Sequence, residues 1–151
     1  MNLSPHFTVA EFVATQHRHI DNALPKDLLP NAIRTAGSLE LIRAALSQIA
    51  GRSIPIILTS GYRCKALNAA VGGSAKSDHI EALAADWIAP AFGTPHQICK
   101  ALAPRIDEFG VGQLIHEFGR WVHTSTKAPA LAKNRVITIN AAGVRLGIQE
   151  A

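Results

Sequence analysis

Residues 82–89 read ALAADWIA, and the conformation of this stretch decides the class of the fold. The alanines favour a helix. The shortness of the run and Pro90 immediately after it fit a buried strand equally well. Either way Asp86 sits within an apolar run. A carboxylate taken out of water costs several kcal/mol unless it is ion-paired or bound to a metal. An arginine such as Arg63, or a helix cap, would satisfy Asp86 without any chemistry.

The neighbouring segments alternate in type. Upstream, SIPIILTS (53–60) is apolar and β-branched and reads as a buried strand ending at Ser60. GYR (61–63) turns, and CKALNAAV (64–71) makes a short helix closed by Gly72 and Gly73. Downstream, Thr94 and Pro95 start a helix over TPHQICKALAPRI (94–106). VGQLIHE (111–117) and WVHTST (121–126) flank the tight FGR (118–120) as a hairpin. RVITIN (135–140) reads as a last strand, with AAG turning after it. Nearer the N-terminus, TVAE (8–11) fits a capping box. From Asn31 to Ile49 the residues Ile33, Leu39, Leu41, Ile42, Ala45, Leu46 and Ile49 recur at helical spacing, and Gly51 ends the helix. Strands and helices without a regular βαβ alternation predict an α+β domain.

Composition narrows the function. At 151 residues and 48% hydrophobic, the chain suits one domain spanning 1–151 and excludes disorder. The net charge of +4 comes from scattered Lys and Arg with few aromatics, which argues against nucleic acid as a partner. A basic surface suits an anionic polymer such as a cell wall. No run approaches the roughly 20 apolar residues of a membrane span. MNLSPHFTVAEF shows no secretory signal. Cys64 and Cys99 are too few for a disulfide scaffold or a cysteine-rich zinc site.

Three residues stand out for chemistry. His79 follows a glycine-rich connection, Asp86 lies in the apolar run, and His123 alternates with Trp121 along WVHTS. Taken singly, each has an ordinary explanation as a surface, ion-paired or core residue. Together, two histidines and a carboxylate are the ligand set of a catalytic zinc with its fourth position open. If FGR is a three-residue turn, Glu117 pairs with Trp121 on the face of His123, which makes Glu117 the candidate general base. Arg63 could reach a substrate carboxylate or peptide carbonyl. Tyr62 and Trp121 are candidates to wall the same cleft, or to be core.

The order SGYR (60–63), LNAAVGG (67–73), SDHIEALAAD (77–86) and QLIHEFGRWVHTS (113–125) resembles the zinc D-Ala-D-Ala carboxypeptidase-like family of peptidoglycan-cutting metallopeptidases, which includes many phage endolysins. Ser77, His79, Ala84, Asp86, Trp121 and His123 match its pattern, and FTVAEFVATQ (7–16) and NRVITIN…GVRLGI (134–148) resemble its two ends. The resemblance implies the α+β fold shared with the hedgehog signalling domain, with the site on a central antiparallel sheet flanked by helices. It also makes residues 82–89 a strand and puts His79 in the loop before it.

The resemblance further implies Zn2+ held by His79, Asp86 and His123, with Arg63 and Ser77 contacting substrate. The implied function is hydrolysis of an amide in bacterial peptidoglycan peptides, a zinc-activated water being deprotonated by Glu117 and the oxyanion helped by Arg63. A monomer made in the cytoplasm and reaching the wall after release, as a phage lysis or virion protein, fits that reading. A non-catalytic metal- or wall-binding module of the same fold is the alternative. Two positions depart from the pattern. Ala82 replaces a glycine, and Arg120 stands where relatives place an acid, which leaves Glu117 or His116 as base.

Overall fold

The computed structural model describes residues 1–150. Residues 82–89 contain a strand, not a helix. β2 (Ala84–Ile88) lies second in a six-stranded sheet of order β1-β2-β4-β3-β5-β6. The others are β1 (Ile57–Ser60), β3 (Gln113–Glu117), β4 (Trp121–Ser125), β5 (Val136–Asn140) and β6 (Gly143–Leu146). All neighbours are antiparallel except β3 and β5, which run parallel. The helices are α1 (Val9–Val13), α2 (Leu29–Ala50), α3 (Lys65–Ala70) and α4 (Pro95–Leu102). This is the expected α+β class. No helix among the described residues is long and apolar enough to cross a membrane.

Alternation along the strands divides the sheet into two unlike faces. Trp87, Val122 and Leu114 point into a core shared with Leu39, Ile42 and Leu46 of α2 and Ile98 and Leu102 of α4. The opposite face carries Asp86, His123 and Glu117. β2 tolerates its alanines because both of its sides are covered: Ala84, Ala85 and Trp87 are fully buried. The Trp87 indole N–H donates to Thr124 Oγ1 at 3.1 Å, which satisfies its one polar atom.

Three expectations need correction. The buried part of SIPIILTS is Ile54 and Ile56, which precede the strand. β1 itself is an edge strand with Ile57 half exposed, because only β2 pairs with it. RVITIN is not the last strand, since Ala141 and Ala142 lead into β6, whose residues are all exposed. An edge strand with nothing packed on it shows no alternation of hydrophobicity to read. The core face of α2 is not the expected apolar stripe either. Ile33, Leu41 and Ile49 are exposed, while Ala32, Thr35, Ala36 and Ser38 are buried beside Leu39, Ile42 and Leu46. Small residues let α2 lie close enough to bond irregular backbone. Thr35 Oγ1 donates to the Ala82 carbonyl at 2.8 Å and Ser38 Oγ to that of Phe109 at 2.7 Å. The sheet is mostly antiparallel, as expected, and β5 lies parallel to β3 because the chain reaches it through a loop from β4.

Candidate metal centre

The sheet brings the trio together by register. Asp86 on β2 lies directly opposite His123 on β4, and His79 enters from the turn before β2. One donor atom from each of His79, Asp86 and His123 lies within 4.8 Å of the other two, and all three residues are buried. Asp86 Oδ1 contacts His123 Nδ1 at 2.8 Å, and Oδ2 lies 3.3 Å from His79 Nε2. The Arg63 guanidinium donates to the same Oδ2 at 2.8 Å. The ordinary reading of Asp86, an ion pair with Arg63, is realised, and the same carboxylate also faces both histidines.

The backbone around His79 explains its aim. Its ring Nδ1 lies 2.6 Å from the Gly61 carbonyl, so an N–H there leaves Nε2 as the free donor facing Asp86. The loop is tied to α2 by Asn31 Nδ2, which donates to the Glu81 carbonyl, and by the Thr35 bond to Ala82. It is tied to β4 by Ser125 Oγ, which donates to Asp78 at 2.7 Å. Ala82 has φ +58°, the left-handed region a glycine would occupy freely. For alanine that conformation costs about 1–2 kcal/mol. Burial of its methyl group, worth about 0.8 kcal/mol, offsets much of this.

Gly61 is required for close approach. A Cβ there would stand 2.3 Å from the Phe12 carbonyl oxygen, the acceptor for the Tyr62 N–H. Gly61→Ala is expected to cost about 1–3 kcal/mol through overpacking. By moving the carbonyl that orients His79, it should also weaken any metal binding at the trio by about 10–100-fold. Thermal melts and zinc competition titration check the two effects.

Glu117 closes β3 opposite Trp121 on β4, as the three-residue turn requires. Phe118 and Gly119 both take left-handed φ in that turn. The Trp121 indole N–H donates to Glu117 Oε2 and fixes the carboxylate on the cleft face. Burial raises the Glu117 carboxyl, and the nearby charge of Asp86 raises it further, against His123, Trp121 and His79. His116 is one residue out of phase with Glu117 and so points to the other face. It is fully buried, its Nδ1 meets the Gln149 carbonyl, and its ring packs against His96. It cannot reach the trio from there.

A cleft of about 1030 Å³ opens over the trio, lined by Arg63, Ser77, Glu117 and Trp121 among others. Ser77 Oγ accepts from the His79 N–H at 3.3 Å. Tyr62 does not wall the cleft. It lies in the core at 6% exposure, because its backbone N–H bonds Phe12 and draws the side chain inward. Thr15, Gln16 and His17 line the cleft although nothing local in the sequence marks them. Cys64 and Cys99 are free thiols, and burial pushes Cys99 up to about 12.

A sequence model of the Peptidase M15 family matches residues 5–125. The chain belongs to that family. Membership implies a metallopeptidase, and the matched span covers the trio and Glu117. A comparison with curated proteins finds no match.

The donor set of this M15 chain fits a metal. Two neutral imidazoles and a carboxylate are the ligands of catalytic zinc sites, and buried donors this close need a cation or protons between them. Without metal, protons must serve. Burial opposes charge on Asp86, but His79 and His123 together hold its carboxyl far below the usual range. Burial lowers His123, yet the Asp86 bond and charge carry it above its ordinary value of 6.5. A depressed acid contributes stability above its unfolded pKa of about 4, lost as pH falls. A raised histidine contributes stability below about 6.5, lost as pH rises through its folded value. The chelated protein should therefore melt highest between about pH 4 and 6.5. Zinc should remove the fall on the alkaline side, because ligand histidines are neutral. Melting curves against pH, with zinc and with chelator, check this.

Proposed function

We infer that the chain is a zinc-dependent peptidase that hydrolyses an amide bond in bacterial peptidoglycan peptides. The observation that carries this reading is the buried His79–Asp86–His123 trio, with Glu117 beside it, on the floor of a cleft in an M15 chain. His79, Asp86 and His123 would hold the ion. Zinc so bound supplies a Lewis acid that polarises a carbonyl and acidifies a water.

The chain's own groups do the rest. Glu117 accepts the proton of the attacking water and returns it to the leaving amine, a role suited to a carboxylate raised by burial. Trp121 keeps Glu117 in place through its indole N–H. The Gly61 carbonyl sets the His79 tautomer, and Arg63 steadies Asp86. Ser77 and the Trp121 face line the space for substrate. The missing acid at Arg120 is not decisive, because hairpin register puts Glu117 on the face of His123.

Purified cell walls incubated with the zinc-loaded protein should release new amino termini. Chelation should stop the release and added zinc restore it. A protein that holds zinc yet frees no amino termini would be a binding module instead.

A further inference from the structure

The cleft floor crosses five neighbouring strands, with Ser60 on β1, Asp86 on β2, His123 on β4, Ile115 on β3 and Ile139 on β5. Four strand-to-strand steps of about 4.8 Å make this floor about 19 Å long. An extended peptide advances about 3.3 Å per residue, so about five or six residues fit across it. The trio is not at an end. It lies between β2 and β4, one and a half steps from β1 and two and a half from β5. That leaves about 7 Å on one side and about 12 Å on the other, or roughly two and three to four residues.

An enzyme that removes a C-terminal residue is best served by an available cation within about one residue, or 3.8 Å of Cα travel, of the cut. The cation that touches the trio is Arg63, and it is already engaged. Its Nη2 donates to Asp86 at 2.8 Å, its Nε to Ser60 Oγ at 2.9 Å, and its Nη1 faces Asn68 Oδ1 at 3.5 Å. Turning it to a substrate carboxylate would break its hydrogen bonds to Asp86 and Ser60, so its charge is not free for that role. The lysines on the cleft, Lys76 and Lys127, are exposed, and Lys127 is paired with Glu81 at 2.8 Å.

The geometry points to an endopeptidase: the site takes an internal amide with at least two residues on each side and has no need of a free C-terminal carboxylate, Arg63 serving as a positioning residue for Asp86. This deepens the peptidase reading of the same site and rests on it.

The test uses the full zinc-loaded chain and peptidoglycan stem peptides with a free or an amidated C-terminus, beside the dipeptide D-alanyl-D-alanine. The expected result is cleavage at an internal bond, with kcat/KM changed less than about 3-fold by amidation. The dipeptide should be cut at least about 100-fold more slowly, since it leaves most of the floor empty and forfeits remote binding energy. Arg63→Lys should weaken zinc binding by about 10–100-fold in competition titration without changing the ratio of amidated to free substrate. Release of the terminal residue alone, or loss of activity on amidation by more than about 10-fold, overturns the inference and leaves the peptidase reading intact. No cleavage of any of these peptides by a zinc-replete protein overturns both.

Discussion

Replacing His123 by alanine is expected to remove zinc and hydrolysis together. The imidazole lies opposite Asp86 in the sheet and supplies one of three donors within 4.8 Å of one another. Two donors do not make a catalytic zinc site, which needs three protein ligands beside its open position. Loss of Lewis-acid stabilisation worth about 4 kcal/mol corresponds to a fall of about 10³-fold in turnover. The fold should survive, because the side chain faces the cleft and Asp86 keeps its bonds to Arg63 and contact with His79. Metal content, turnover and melting temperature measured on one preparation separate these effects. Stoichiometric zinc in the variant would remove His123 from the ligand set.

Glu117→Gln should behave differently: zinc stays and turnover falls by about 10²-fold or more. Glutamine keeps the size of the side chain and an oxygen for the Trp121 N–H, so the cleft wall stays in place. What disappears is the only proton acceptor that the β3–β4 register puts beside the trio on that face. Folding should be little affected or slightly improved, since a buried carboxylate next to Asp86 is lost. The control is His116→Asn. His116 sits on the core face, so its loss should show in melting temperature rather than in the chemical step. Turnover unchanged in Glu117→Gln would sink its role as base.

Much of the site could be read in the chain because its members sit at marked points. Asp86 is a charge inside an apolar run, His123 shares a strand face with Trp121, and the three-residue turn puts Glu117 across from Trp121. The same alternation, applied strictly, would have set His116 aside, since it is adjacent to Glu117 and must point the other way. The partners that aim the trio carry no such mark. Gly61 lies 18 residues from the histidine it orients, and Thr35 lies 47 residues from the Ala82 carbonyl it holds. Arg63 had two readings, and only the folded chain shows the guanidinium committed to Asp86. Tyr62 could wall the cleft or lie in the core, and its side chain turns into the core.

The sequence by itself determined the mix of strands and helices, the caps at Thr8 and Thr94, the hairpin and the identity of the candidate donors. These follow from local periodicity, turn chemistry and the cost of a charge within apolar surroundings. The parallel placement of β5 beside β3, the exposed edge at β6 and the length of the cleft were decided only in the tertiary structure. Each depends on which strand lies next to which. That is set by packing between residues distant in the chain, where local propensity carries no information.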